Sequence, residues 1–298
     1  GLASRQDRPF CIMTSFPIFR RKDERRPPPL GVSMSERFLR NEMLLGAAAM
    51  QRLAAAHVCV IGLGGVGSYA VEALARAGVG ELTLVDQDVY GESNLNRQLG
   101  ALYSTLGQSK AEVLARQVQD INPDCVVHPV IGRYAAEDRE RFFGPYDYIA
   151  DAIDLVSCKV DLICQAMERG IPILSALGTG NKLDPSLIEV TDLSKTKGCP
   201  LARVMRRELG RRGIRHLKVV YSPEEAAPCA ALEAPPASAV ASPASPVVAE
   251  RWAQPGTNRM HSRRDSANAK LATRLIGLFS LIDAHYINFL CLLFMLLL

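Results

Sequence analysis

The chain has 298 residues, 48% hydrophobic and 22% charged, the balance of a globular α/β protein with room for one large or two small domains. A net charge of +4 is too weak to identify a nucleic-acid partner. Eight cysteines are scattered without a CxxC pair, which argues against a zinc ribbon or a disulfide framework and makes a reduced, cytoplasmic compartment the expectation.

Residues 1–33 carry Arg20, Arg21, Lys22, Arg25 and Arg26 ahead of Pro27–Pro29, with no apolar segment of signal-peptide type. They read as a disordered basic extension, and Met34 is the expected start of the folded unit. SERFLRNEM, Ser35–Met43, predicts a helix capped by its serine, and Ala47–Ala56 predicts a second. The stretch that organises the chain follows: His57–Asp86, HVCVIGLGGVGSYAVEALARAGVGELTLVD. Val58–Ile61 is a run of mostly β-branched apolar residues of buried-strand length. Gly62, Gly64, Gly65 and Gly67 come next, then a helical pattern over Ser68–Ala77 closed by Gly78. A second apolar strand, Glu81–Val85, ends in Asp86, about 20 residues past the glycines. Glycines let backbone N–H groups approach phosphate oxygens, and the helix that starts there turns its positive end toward the same anion. An acid at the end of the second strand accepts from ribose hydroxyls. A ligand-free glycine turn is the bland alternative, and four glycines within six positions weigh against it.

Asn94, Asn96, Arg97 and Gln98 follow closely behind Asp86, at the carboxyl edge of the sheet where doubly wound folds bind ligands. Lys110 stands at the start of a helix over Ala111–Ile121 that Asn122-Pro123 stops. A helix dipole disfavours a cation there, so this lysine points either to a nearby anion or simply to solvent. Strands are expected over Cys125–Ile131, Tyr148–Ala152, Ile171–Ala176 and Leu187–Asp192, with a helix over Ser157–Arg169 and a glycine-rich loop, GTGNK, over Gly178–Lys182. Asp154, just past a strand end, suits Mg²⁺ beside nucleotide phosphates, or else an N-cap for the following helix. Leu201–Lys218 is the most basic region, with Arg203, Arg206, Arg207, Arg211, Arg212 and Arg215 against Glu208 alone. Arg203, Arg206 and Arg207, with Arg211 a further candidate, share a helical face, which either meets a phosphate backbone or is merely solvated. From about Pro228 to residue 270, Ala, Pro, Ser and polar residues predict a low-complexity disordered linker. Residues 271–298 are apolar but broken by Asp283, His285 and Asn288, and Phe289–Leu298 is too short to span a bilayer, so a membrane anchor is not expected.

GLGGVGS, the acid of LVDQD, SNLNRQ, the SKAEV lysine, INP and DAIDLVSCK occur in that order. This resembles the ubiquitin-activating-type (ThiF/MoeB-like) ATPase superfamily, whose members adenylate a carboxylate. ERFLRNEMLLG, LGTGNKLDP, VTDLSKTKGCPLARVMRRELGRRGI and LKVVYSPEE resemble, within it, the tRNA threonylcarbamoyladenosine dehydratases. The resemblance covers roughly residues 35–225, inside an ATP-binding adenylating domain drawn at 34–227. It implies a Rossmann-like, doubly wound, mostly parallel α/β sheet with helices on both faces, and ATP with Mg²⁺ as cofactors. It implies ring closure on N6-threonylcarbamoyladenosine in tRNA through an acyl-adenylate on the threonyl carboxylate. Position by position, Gly62, Gly64, Gly65 and Gly67 would cradle the nucleotide, with Asp86 on the ribose. Arg97 and Lys110, with Asn94 beside them, would neutralise phosphate charge, and Asp154 would hold Mg²⁺. Arg40 would reach into the ATP site of a second copy, making a homodimer. Arg206, Arg207, Arg211 and Arg212 are the candidate tRNA contacts, and sulfur-relay or cysteine desulfurase proteins are candidate helpers. No zinc is expected, because the CxxC pairs of other superfamily branches are missing. The tail after residue 228 departs from the family's ordered closing segment, and a frameshifted end is the expected cause. Two other readings compete: an adenylyltransferase for a ubiquitin-like sulfur carrier, and a dinucleotide oxidoreductase. The first needs an acceptor thiol, for which only Cys199 and Cys229 are suitably placed. The second has no task for Arg97, Lys110 and Asp154.

Overall fold

A computed structural model describes residues 36–228. The extension 1–33, the Ser35 cap, almost all of the linker and the tail 271–298 lie outside the described residues. The chain enters through a short 3-10 turn, Glu36–Phe38, and two helices, α1 (Leu39–Leu45) and α2 (Ala47–Ala55). The expected single helix over residues 35–43 is thus a turn and a helix that runs two residues further, to Gly46 with φ at +80°. Strand β1 (His57–Ile61), α3 (Gly67–Ala77) and β2 (Glu81–Asp86) follow as the spacing predicts. Then come α4 (Lys110–Ile121), β3 (Val126–Ile131), β4 (Tyr148–Asp151), α5 (Val156–Glu168), β5 (Ile173–Ala176), β6 (Glu189–Asp192), α6 (Pro200–Gly210) and β7 (Lys218–Tyr221).

The seven strands form one sheet in the order β3-β2-β1-β4-β5-β7-β6, parallel except where β6 pairs antiparallel with β7. Each parallel crossover carries a helix across a face, and successive β1 residues alternate between the faces. Val58 and Val60 pack with Leu74 of α3 and Leu114 of α4. Cys59 and Ile61 pack on the other side with Leu162 and Ile163 of α5 and Met205 of α6. β1 is therefore buried along its whole length, as its unbroken apolar run requires. β3, at the sheet edge, is mostly exposed and tolerates Pro129.

One strand lies outside the expected set, and another starts later than expected. Lys218–Tyr221 is an inner strand between β5 and β6, made so by pairing Leu174–Ala176 with Lys218–Val220. Leu187 belongs to a 3-10 turn over Pro185–Leu187, and β6 starts only at Glu189, after Pro185 and the Asp184 side chain have set that turn. Among the described residues no helix is long and apolar enough to cross a membrane.

Candidate active site

The strand order reverses between β1 and β4, because β1 leads to β2 and β3 on one side and β4 leads to β5 on the other. A crevice opens at the carboxyl ends of such a pair. Val66, Gly67, Ala152, Ala176 and Thr179 line it here. The turn from β1 into α3 forms one wall. Gly62 has φ at +90°, and a Cβ there would lie 2.5 Å from the Ala152 carbonyl oxygen. A Cβ on Gly67 would lie 1.8 Å from the Gly62 carbonyl oxygen. Only glycine fits at both positions, and the turn is clamped between β1 and the segment after β4. No side chain caps the α3 N-terminus, whose N-cap is Val66. Ser68 N of its first turn donates to the Gly64 carbonyl at 3.1 Å, and the positive end of the α3 dipole lies at this turn.

Asp86 fastens this turn from the neighbouring strand. Its carboxylate accepts from Leu63 N at 2.7 Å and from Asp88 N at 2.8 Å. Asp88 in turn accepts from Lys110: its backbone oxygen from Lys110 N at 3.1 Å and its carboxylate from Nζ at 3.2 Å. Lys110 is only 5% exposed, which removes the solvated alternative. A buried ammonium at a helix N-terminus needs negative partners, and Asp88 supplies one. Arg97 comes to the turn from the other side: its Cγ lies 3.6 Å from the position a Cβ on Gly65 would take. Its guanidinium donates to Ser93 O at 2.7 Å and Asn96 Oδ1 at 2.9 Å. Asn94 Oδ1 accepts from Gly91 N at 3.1 Å and shapes the same loop. Gln98, buried beside Gly64, leaves Oε1 without a hydrogen-bond partner among the described residues.

Asp154 is exposed, two residues beyond Ala152, which lines the crevice. It does not cap α5, whose N-cap is Leu155 with no side-chain cap bond, so that alternative falls. A buried group unforeseen as a unit holds its segment in place. Lys159 Nζ donates to Asp151 Oδ2 at 2.8 Å, Ser175 Oγ at 3.2 Å and Ala176 O at 2.9 Å. Ser175 Oγ donates to the same Asp151 oxygen at 2.7 Å, while Asp151 Oδ1 accepts from Ile153 N at 3.0 Å. Asp151 and Lys159 are the first and last residues of DAIDLVSCK: a strand end and the second turn of the helix that folds back onto it.

A model of the ThiF family matches residues 38–233. The chain belongs to the ThiF family. It is 42% identical over 193 residues to the tRNA threonylcarbamoyladenosine dehydratase of Bacillus subtilis, covering 64% of this chain and 76% of that one. It is 43% identical over 175 residues to the protein of the same name from Escherichia coli, covering 58% of this chain and 65% of that one. Among solved structures it resembles the E. coli tRNA N6-threonylcarbamoyladenosine dehydratase in complex with ATP, with a TM-score of 0.61 and 39% identity. That likeness covers 65% of this chain and 86% of the other.

Two elements of this ThiF chain carry the remaining candidate residues. In α1, Arg40 is exposed, no residue is buried, and Leu39, Met43 and Leu44 are 52, 80 and 71% exposed. In α6, Ala202, Met205 and Leu209 face the core. Arg206 does not share the outer basic face. Its Nη1 donates to Thr196 O at 2.7 Å and also to the Thr196 hydroxyl, tying α6 to the preceding turn. The helical period holds, but a long side chain beside the buried stripe turns inward to cap a free carbonyl. Arg207, Arg211 and Arg212 remain outside, gathered on Glu208 at 3.1, 3.1 and 3.5 Å. α6 starts beside Gly178, past the carboxyl end of β5, and a seven-residue segment joins its end to the start of β7. These arginines therefore lie toward the amino edge of the sheet, away from the glycine turn.

Proposed function

We propose that this ThiF-family chain is an ATP-dependent tRNA threonylcarbamoyladenosine dehydratase acting through an acyl-adenylate. The observation that carries the reading is a glycine turn with no side-chain cap on its helix, met by Arg97 at Gly65 and by Ala152 at Gly62 and Gly67, and linked through Asp86 and Asp88 to the buried Lys110. Hydride transfer has no use for two cations and a free carboxylate around a phosphate cradle. Transfer of AMP to an acid does, since its transition state gathers negative charge on phosphorus.

Each residue then has one task. The α3 N-terminus and its glycines receive phosphate oxygens, and Asp86, already fixed by Leu63 N and Asp88 N, accepts from the ribose. Lys110 is released from Asp88 toward the phosphates, and Arg97 leaves its loop carbonyl to do the same. The fit for Mg²⁺ rests on Asp154, one free carboxylate of the kind that ion takes alongside phosphates. Bound there, it would supply further charge neutralisation. The threonyl carboxylate oxygen attacks the α-phosphorus and pyrophosphate leaves. The ureido group then attacks the activated carbonyl, the proton it sheds goes to solvent, and AMP departs with the former carboxylate oxygen. The sum is loss of one water from the nucleoside against ATP cleaved to AMP and pyrophosphate.

The sulfur-carrier alternative needs a nucleophilic thiol after adenylation. Burial pushes the Cys59 thiol up to about 12 and, helped by Glu81, the Cys125 thiol up to about 11. Burial raises Cys158 and Cys164 as well. Cys199 Sγ accepts from Ala202 N at 3.4 Å as the cap of α6. None of these five described cysteines is set up as an acceptor.

The supporting arrangement for tRNA is the outer arginine cluster of α6, and for a second copy the unpartnered apolar side of α1 around Arg40. Nucleoside mass spectrometry of threonylcarbamoyladenosine-bearing tRNA, incubated with ATP and the purified chain, tests the whole reading. Loss of one water is expected. Lys110→Ala should slow it at least about 100-fold. No mass loss with the wild-type chain, or unchanged turnover in the variant, contradicts the reading.

A further inference from the structure

At the amino edge of the sheet, opposite the glycine turn, three side chains from three strands meet. His57 is the first residue of β1 and pairs in register with Glu81, the first of β2. His128 of β3 pairs with Thr83, two residues along β2 from Glu81, so all four side chains project from the same face. His57 Nδ1 lies 3.3 Å from Glu81 Oε1, and His128 Nε2 lies 2.9 Å from the same oxygen. All three atoms lie within 4.8 Å of one another. On the far side of the His57 ring, Nε2 is 2.9 Å from Thr83 Oγ1.

From this cluster we infer a binding site for a zinc-class divalent metal ion, ligated by His57 Nδ1, Glu81 Oε1 and His128 Nε2. Two imidazoles and a carboxylate are the donor set that zinc and its neighbours take, with water completing a tetrahedron. Zinc bonds of about 2.0–2.1 Å to such donors place ligand atoms about 3.3 Å apart in a tetrahedron, close to the two spacings seen here. Thr83 plays the part of the outer partner: when Nε2–H donates to its hydroxyl, the Nδ1 lone pair is aimed at the Glu81 side. The ring is held further by an edge-on contact with Tyr146, at 4.9 Å between centroids. His57 is buried, whereas the Glu81 and His128 side chains are 36 and 47% exposed, so an ion reaches the site from solvent against one preset ligand. The expectation of no zinc rests on the cysteines, and this donor set uses none. A bound ion would brace β1, β2 and β3, the strands that carry the glycine turn and Asp86, from the end opposite to the chemistry.

The test uses the full chain, freed of metal, with zinc followed by melting temperature and cobalt(II) by its visible absorption. One equivalent should bind, raise the melting temperature, and give the intense bands of tetrahedral cobalt. Glu81→Gln and His128→Ala should each weaken binding at least about tenfold, and Thr83→Val by a similar factor through the outer partner. His216→Ala, a histidine elsewhere on the surface, should leave binding unchanged. Circular dichroism confirms folding, and His128→Asn replaces the alanine variant if that one misfolds. Failure of the wild-type chain to take up either ion at 1:1, or equal affinity in Glu81→Gln and the His128 variant, overturns the site and leaves a histidine–glutamate ion-pair cluster. None of these readouts depends on catalysis, so they stand or fall apart from the proposed dehydratase activity.

Discussion

Lys159 shows how one side chain can hold a site it does not touch. It is fully buried, paired at 2.8 Å with an equally buried Asp151, and it spends its other donors on Ser175 and Ala176. Removing one partner of such a pair strands the other charge without water. Lys159→Ala should therefore cost roughly 3–5 kcal/mol of stability, measured by urea unfolding of the full chain. A loss below about 1 kcal/mol, the scale of an exposed pair, would show that water reaches Asp151 and that the pair is not structural. Lys110 is buried too, yet the carboxylate it pairs with belongs to Asp88, whose side chain is 40% exposed. That difference separates a lysine bound into the frame from one whose partner faces solvent, as the proposed phosphate contact requires. DAIDLVSCK and SKAEV each display a lysine, and nothing in the two strings tells these roles apart.

At the scale of elements, α6 divides its arginines. Arg206 caps a turn, and Arg207, Arg211 and Arg212 surround Glu208. Hydrogen bonding from Arg207, then the charge of Arg211 and a hydrogen bond from Arg212, hold the Glu208 carboxyl below its ordinary value. The folded-state value is depressed, so this contribution is present above the unfolded-state value and is lost as pH falls through the folded one. The stabilisation is small because the pairs lie at the surface, where solvent screens them. Charge reversal at Arg207 and Arg211 should weaken tRNA binding and reduce its logarithmic salt dependence by about one for each phosphate no longer neutralised. Filter binding across a salt series checks this, and a superimposable series returns the cluster to a solvated surface. Arg206→Glu would be a poor probe, because it breaks the link to Thr196 as well as changing charge.

At the scale of the molecule, the described chain leaves α1 without a buried residue. A seven-residue helix with Leu39, Met43 and Leu44 in water has little reason to persist alone. Proposed as part of a two-fold interface, it would carry Arg40 to the other copy's crevice. Mixing inactive Arg40→Ala protein with inactive Lys110→Ala protein should then restore activity toward about a quarter of wild type, since half the dimers are mixed and each has one intact site. If the mixture stays as inactive as its parts, Arg40 does not act across an interface.

Residues 57–86 are legible as a strand, glycine turn, helix, strand and acid because all of their determinants are local: β-branched runs, glycines where no Cβ fits, and a 3.6-residue period. The carboxyl-edge location of Asn94, Arg97 and Lys110 follows from the same unit, since the loop after β2 emerges there. What folding alone decided depends on strand order, which joins residues far apart in sequence. Pairing with β5 made Lys218–Tyr221 an inner strand, and the return of α5 onto β4 and β5 assembled Asp151, Lys159 and Ser175. Packing of α6 turned Arg206 inward, and the parallel register of β1, β2 and β3 set His57, Glu81 and His128 side by side. Local spacing encodes which element forms. The partner of each buried charge is encoded only in how those elements stack, because desolvation penalises every arrangement but the paired one.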